Sequence, residues 1–289
     1  MDIQALEAFI AVAGCGSFSM AAEQLHVTQP AISKRVAGLE TDLGCILFDR
    51  LPREAVLTPS GQALLIKARH IVDEVHALRS SLSDLSGNLA GILKLGTSHH
   101  IGLHKLPPLL RLYRQLYPQV KLELHFLGSE EAFTAVEQGS VDIAFATLPE
   151  DNREKLNASQ LWHDPLVFVC AKDHPLAQQG KLELSELAAV DAILPETDTV
   201  TYQVVANLFK EANLKLQVAL PTNYLETIKM MLSVGLGWGV LPVSMLDNSL
   251  KTLPINSVPL SRELGLLTRK GKTLTMAAQR FIELTEQHN

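Results

Sequence analysis

Apolar residues recur at Ile3, Leu6, Phe9, Ile10 and Ala13, the 3.6-residue period of an amphipathic helix. Gly14 and Gly16 stop that helix. Ser19 can cap a second short helix over residues 20–25, and His26 and Val27 make a turn. Thr28 then caps a third helix. Gln29 and Pro30 occupy its first turn, where a proline costs little because first-turn amides have no intrahelical acceptor. Ile32, Val36, Leu39 and Leu43 recur at i, i+4, i+7 and i+11 and should pack inward. Gln29, Pro30, Ser33, Lys34, Ala37 and Thr41 form the opposite face, and Gly44 ends the helix. Residues 46–48 and 55–57 read as two short strands around a cationic turn with Arg50, Pro52 and Arg53.

Thr58-Pro59 opens a long helix. Its apolar residues Leu64, Ala68, Ile71, Val75, Leu78, Leu82 and Leu85 step alternately by four and three, a heptad seam that predicts a partner helix. Residues 87–91 break the seam, and the texture changes. ILKLG, VKLELHF and DIAFAT read as strands, separated by helices over 104–117 and 129–138. That β-α-β-α-β order predicts a mainly parallel sheet wrapped by helices. A second set follows, with strands in PLVFVCA, VDAIL, QVAL, GWGVLP and ELGLLTR. Its helices fall over 184–187, 201–212, 224–234 and 274–286. Two similar α/β lobes in one chain place a ligand cleft between them.

The 289 residues suffice for about two domains. A net charge of −6 argues against indiscriminate binding to nucleic acid, but leaves room for a small basic segment. Residues 1–60 carry four cations, Lys34, Arg35, Arg50 and Arg53, against seven acids. All four cations lie on the third helix or the following hairpin, so the positive field is local. Arg35 is turned about 100° from Lys34 on a helix and is expected to meet a phosphate or an acid. The N-terminus carries an acid where an export signal would carry cations, and no run of eighteen apolar residues occurs. Cys15, Cys45 and Cys170 form no CxxC pair, which fits a reduced, cytoplasmic protein.

Several local motifs compete for a catalytic reading and fall short. The GKT at Gly271 lacks the glycine a phosphate-binding loop needs five residues earlier, where Leu266 stands, and Thr273 reads instead as a helix cap. GLGWG has Val240 where a dinucleotide fingerprint needs its third glycine. SHHIGLH offers His99, His100 and His104, the last two four residues apart. No acid or cysteine nearby in sequence completes a metal set, so no metal is expected. GxSxG and HExxH are both missing, so no enzyme and no cofactor is expected.

The segment GSFSMAAEQLHVTQPAISKRVAGLETDLGCILFDR, followed by LTPSG, resembles the LysR-type transcriptional regulators; VDIAFA and GLGWGVLP extend the likeness more loosely. The resemblance implies an α+β multidomain chain. Residues 1–58 would be a winged helix-turn-helix, 59–88 a linker and dimerisation helix, and 91–289 a two-lobed, periplasmic-binding-protein-like effector domain. Lobe I would take about 91–161 and 268–289, and lobe II about 162–267. The third helix would enter the major groove with Thr28, Gln29, Pro30, Ser33 and Lys34, and the wing would bring Arg50 and Arg53 to the backbone or minor groove. Many relatives carry arginine where this chain has Lys34, a point charge rather than a planar fork.

A small anionic effector would lie among Thr97, Ser98, His99, Ser129, Thr147, Thr199, Thr201 and Asn223, mostly hydroxyls and amides near helix starts. The family further implies double-stranded operator DNA, a homodimer or homotetramer, and RNA polymerase as partners, without a membrane. The competing class is a solute-binding or enzymatic protein in which the first 88 residues only mediate assembly.

Overall fold

The computed structural model describes residues 2–51, 54–84, 89–148, 154–255 and 259–288. The chain divides into two compact units. One comprises residues 1–91 with the short segments 138–140 and 271–279, and the other 92–137, 141–270 and 280–289.

In the first unit, α1 (Ile3–Cys15) is capped by Asp2, whose carboxylate accepts from the Ala5 amide at 2.7 Å; Gly16 closes it at φ 63°. The second helix, α2 (Phe18–Gln24), is capped by Ser17 rather than Ser19, so it starts two residues earlier than the sequence predicts. A turn through His26, with φ 53°, leads into α3 (Gln29–Leu43), which ends at Gly44 with φ 66°. Thr28 occupies the cap position of α3 without a side-chain cap bond, and Pro30 sits in the first turn as expected. Ile32, Val36 and Leu39 are buried, whereas Leu43 is exposed and falls outside the inward stripe.

The hairpin is β1 (Phe48–Leu51) paired antiparallel with β2 (Glu54–Leu57). Its first strand begins at Phe48 rather than Ile46 because helix caps claim the backbone before it. The Ile46 carbonyl accepts from Thr58 Oγ1 at 2.8 Å, and the Leu47 amide donates to Glu40 Oε1 at 2.8 Å. Phe48 packs its ring 5.4 Å from Phe9 and 5.6 Å from Phe18, which ties the hairpin to α1 and α2.

Thr58 also accepts from the Gly61 amide at 3.1 Å and so caps α4 (Pro59–Asp84). The heptad seam on α4 does not face one way. Ala68 is fully buried in the core of the N-terminal headpiece, joined there by Val72, and Leu64 packs against the same core. Ile71 (41% exposed) and Leu78 (62% exposed) face outward, with Val75 half-buried between them. Ala68 is therefore spent on its own domain, and the outward seam begins near Ile71. The side chain of Leu82 and all of Leu85 lie outside the described residues.

In chain order the second unit is built from β3 (Gly91–Thr97), α5 (His99–His104), α6 (Leu106–Leu116), β4 (Val120–Phe126), α7 (Ser129–Gln138), β5 (Ile143–Thr147) and β6 (Leu156–Ala171). There follow α8 (Leu184–Ala188), β7 (Ala192–Ile193), α9 (Val200–Glu211), α10 (Leu225–Ser233), β8 (Trp238–Pro242), β9 (Leu250–Thr252), β10 (Leu260–Arg269) and α11 (Met276–Gln287). The predicted helix over 104–117 corresponds to α6, and a separate short helix, α5, precedes it from His99. QVAL contributes one isolated bridge, Val218 to Ala192, rather than a strand. Thr275 rather than Thr273 caps α11, accepting from the Ala278 amide at 3.2 Å.

Among the described residues the strands of the second unit form one sheet in the order β4-β3-β5-β10-β6-β8-β7, with β9 added on β6. The expected parallel pairing holds for β3 with β5 and for β7 with β8. The middle of the sheet is antiparallel: β10 pairs with β5 and β6, and β6 pairs with β8. This corrects the mainly parallel expectation. Both β6 and β10 are long strands that run from one lobe into the other. Leu264–Leu267 of β10 pair with β5, so the lobe I part of that strand starts near 264 rather than 268.

Along the lobe II half of β6, Leu166, Phe168 and Cys170 point into one core and Val167 and Val169 into another, the period-two alternation of a strand covered on both faces. Trp238 stacks on Phe209 at 5.6 Å in the first of these cores, and its indole nitrogen donates to the Leu187 and Val190 carbonyls. Lobe I packs Phe133, Val136, Ala144 and Leu267 on one side of its strands.

Gly61 lies where a β-carbon would collide with the Leu47 carbonyl oxygen. The Gly61→Ala variant is expected to lose about 1–3 kcal/mol of headpiece stability, because backbone must shift to admit the methyl group. Chemical denaturation followed by circular dichroism checks this; an unchanged midpoint contradicts the packing described.

Candidate functional site

The face of α3 opposite its buried stripe is polar and open. Thr28, Gln29, Pro30 and Lys34 are exposed, and Ser33 is half-buried. The Gln29 amide nitrogen donates to Ser33 Oγ at 3.3 Å, which holds the two side chains side by side on adjacent turns. Arg35 points elsewhere: its Nη2 donates to Gln4 Oε1 on α1 at 2.9 Å, an amide within its own domain. Glu40 spends its carboxylate on the Leu47 and Phe48 amides, which anchors the start of the hairpin to the end of α3. Arg50 lies on β1 with its side chain outside the described residues, as is all of Arg53.

The second unit holds a cavity of about 600 Å³. That is within the roughly 300–1,000 Å³ typical of small-molecule sites. Seven of the eight expected ligand residues line it: Ser98, His99, Ser129, Thr147, Thr199, Thr201 and Asn223. Thr97 does not. It is buried under the end of β3, and its hydroxyl donates to the Ser98 carbonyl.

The seven do not all offer free groups. Thr199 caps α9, accepting from the Tyr202 amide and donating to the Glu196 carbonyl. Asn223 exchanges two hydrogen bonds with Glu196. His99 packs between Phe126 at 5.1 Å and Tyr224 at 4.9 Å, so it narrows the cavity as an aromatic wall.

Sequence reasoning missed the charged group in the cavity. Arg262 is 8% exposed and lines it, yet it comes from β10, far from every motif considered. Directly across the ladder on β6 stands its register partner Asp164. Arg262 Nε donates to Asp164 Oδ2 at 2.8 Å, and Nη1 donates to Thr201 Oγ1 at 2.9 Å. Nη2 is buried with no hydrogen-bond partner. Burial pulls the Arg262 pKa down and Asp164 opposes that pull; guanidinium stays charged at ordinary pH. The carboxylates of the lining, Glu130, Glu131, Glu196 and Asp198, are exposed, and solvent screens them more than it screens Arg262. In β10 the alternation that puts Arg262 on one face with Leu260 and Leu264 was the available signal, since a charge on a buried strand face needs a partner.

His100 also lines the cavity. It is 5% exposed, and neither ring nitrogen has a hydrogen-bond partner. Burial, assisted by the nearby Arg262 charge and then by His104, lowers its pKa to about 3, so the ring is neutral. Its neighbour His104 places Nε2 3.1 Å from Glu226 Oε1 on α10. The acid missing from the surrounding sequence is therefore supplied across the fold.

Residues 3–62 match the family model described as the bacterial regulatory helix-turn-helix protein, lysR family. Residues 86–289 match the LysR substrate binding domain. The chain is 30% identical to the HTH-type transcriptional activator CmpR of Synechocystis sp., over 98% of this chain and 94% of that protein. It superposes on full-length CbnR complexed with its target DNA with a TM-score of 0.68, at 22% identity and covering all of both chains. The regulatory domain of Synechocystis CcmR, solved in complex with 2-PG, matches 68% of this chain and 97% of its own length. The TM-score there is 0.61 and the identity 26%.

Removing one member of the buried pair tests the arrangement. In the Asp164→Ala variant the Arg262 charge is left without its counter-ion, and the second unit is expected to lose about 3–5 kcal/mol. Both tryptophans of the chain, Trp162 and Trp238, lie in that unit, so the fluorescence transition in urea reports it selectively. A loss under about 1 kcal/mol, the range of exposed pairs, contradicts the burial.

Proposed function

We propose, for a chain that belongs to the LysR family of transcriptional regulators, that paired headpieces read an operator through one face of α3 and that a small anion bound against Arg262 changes how they sit on DNA. The chain is a DNA-binding transcriptional regulator with an effector-binding domain, and not an enzyme. The observation that carries the effector reading is the buried Nη2 of Arg262. It is a charged donor without a partner, in a cavity that also presents the Ser98, Ser129 and Thr201 hydroxyls. An unpaired buried donor is costly, and a carboxylate or phosphate oxygen would satisfy it with a charge-assisted bond. The 2-PG held by the CcmR regulatory domain supports a ligand of this kind. Effector and operator are coupled to the extent that the effector distinguishes two arrangements of the assembly.

For DNA, the reading assigns base contacts to Gln29, Pro30 and Lys34 and phosphate contacts to Thr28 and Ser33. Arg50 and Arg53 are assigned to the wing. A single headpiece with four cations among seven acids binds weakly, so tight binding needs two of them, with recognition helices about 34 Å apart on successive major grooves. The outward part of α4, from Ile71 through Leu78, supports a homodimer, and the family supports pairing of dimers into a tetramer. RNA polymerase is the expected partner of an activating complex. Among the described residues no single helix is long and apolar enough to cross a membrane, and an operator-binding protein is assigned to the cytoplasm.

Gel shifts with the DNA upstream of the gene test the recognition face. Gln29→Ala and Lys34→Ala should each weaken specific binding by about tenfold, roughly the 1–3 kcal/mol of a base contact, and Lys34→Ala should flatten the salt dependence if its contact is to phosphate. Wild-type affinity in both variants contradicts the assignment. Thermal shift of the full chain against small carboxylates and phosphate esters tests the cleft. A compound at a hundred times its Kd should stabilise the wild type by about 2.7 kcal/mol, and far less in Ser129→Ala or Thr201→Val. If no anion stabilises the wild type, or both variants respond in full, the Arg262 cleft is not the effector site.

A further inference from the structure

A second chemistry-bearing cluster borders the cleft, shares His100 with its lining, and plays no part in the reading above. His100 and His104 stand four residues apart on α5, hence on one helical face. Glu226, from the first turn of α10, completes a set of three. One ligand atom from each lies within 4.8 Å of the other two. His104 Nε2 and Glu226 Oε1 are already 3.1 Å apart. Two donors bound about 2.1 Å from one tetrahedral ion stand roughly 3.4 Å apart, so this edge of the triangle would open by about 0.3 Å and the third ligand would close by up to about 1.4 Å.

An ordinary ion pair between His104 and Glu226 accounts for only part of this. It leaves Glu226 Oε2 buried without a partner, and it leaves both nitrogens of the buried His100 ring without one. Such groups cost free energy unless something binds them. The nearest carboxylate to His100, Asp164 Oδ2, is 3.9 Å away and engaged with Arg262. The His100 and His104 rings lie 4.9 Å apart, facing the same region.

We infer that His100, His104 and Glu226 form a site for a divalent cation of the zinc class, with a fourth position left for water. Two imidazoles and one carboxylate suit zinc or a neighbouring first-row metal, whereas calcium and magnesium select sets built from oxygen. The positive charges facing the site are Arg262 and Lys105, and the negative ones are Glu226 and Asp164. The Arg262 charge is paired with Asp164, so the ion would not face it bare. Since α5 belongs to lobe I and α10 to lobe II, the ion would tie the two lobes together next to the effector cleft.

Untagged full-length protein, equilibrated with zinc and freed of excess by gel filtration, is expected to retain one zinc per chain by elemental analysis. Cobalt in its place should give the visible absorption of a tetrahedral site. His104 is exposed, so His104→Ala should fold normally and bind at least about tenfold more weakly; Glu226→Gln should do the same while keeping the shape of the side chain. Wild-type protein without stoichiometric zinc overturns the inference. So does equal retention by His104→Ala and Glu226→Gln, which would place the metal on the other histidines of the chain. Thermal shift with the effector anions, run without metal, reports the Arg262 cleft separately, so failure of one reading leaves the other standing.

Discussion

One charge that cannot reach water organises the effector domain. Arg262 and Asp164 face each other across the β6–β10 ladder, where those two strands pass from one lobe to the other. A charge in that position is tolerable only if it is paired and hydrogen-bonded. Asp164 supplies the pairing, and Thr201 on α9 supplies a second acceptor. Arg262 also lines the cavity, and its remaining nitrogen, Nη2, is buried without a partner. The contact that locks the two crossover strands in register thereby leaves one donor for a ligand, and any ligand that takes it touches the crossing point between the lobes.

Such a position gives a plausible lever for regulation without a long pathway. A ligand oxygen on Nη2 alters the electrostatic balance of the Arg262–Asp164 pair directly. On the proposed reading its other contacts would be Ser98 and Ser129 in lobe I and Thr201 in lobe II, which line the same cavity. A ligand held by both lobes has different energies in open and closed arrangements, which is the requirement for a shift in population. The His100–His104–Glu226 cluster joins the same two lobes through α5 and α10, so an ion there would bias the same motion.

In the headpiece the constraint is economy of positive charge. Arg35 is tied to Gln4, and Glu40 is tied to the Leu47 and Phe48 amides. Of the two cations on α3, only Lys34 stands on the face opposite the buried stripe. On the proposed reading, weak attraction by each headpiece would gain specificity through pairing, which suits a regulator that must ignore bulk DNA. The long helix serves both ends of this arrangement. Its first turns complete the headpiece core through Ala68 and Val72, and its later ones turn Ile71 and Leu78 outward.

Local chemistry made much of this legible in the chain itself. Helix periods, glycine stops and the Thr58-Pro59 start located α1, α3 and α4, because those signals act within a turn or two of backbone. Seven of the residues that line the cavity were expected from the sequence, since polar side chains at strand ends and helix starts fall where an α/β fold opens its cleft. The failures share one cause. Ser17 displaced Ser19 as a cap, and Ile46 left the hairpin, because neighbouring groups competed for the same backbone. Asp164 and Arg262, 98 residues apart in sequence, became partners only through the antiparallel β6–β10 register. Glu226 reached His104 across 122 residues in the same manner. Amphipathic period and capping are short-range and belong to the sequence; which charges meet in the interior is decided by strand pairing, and that exists only once the chain has folded.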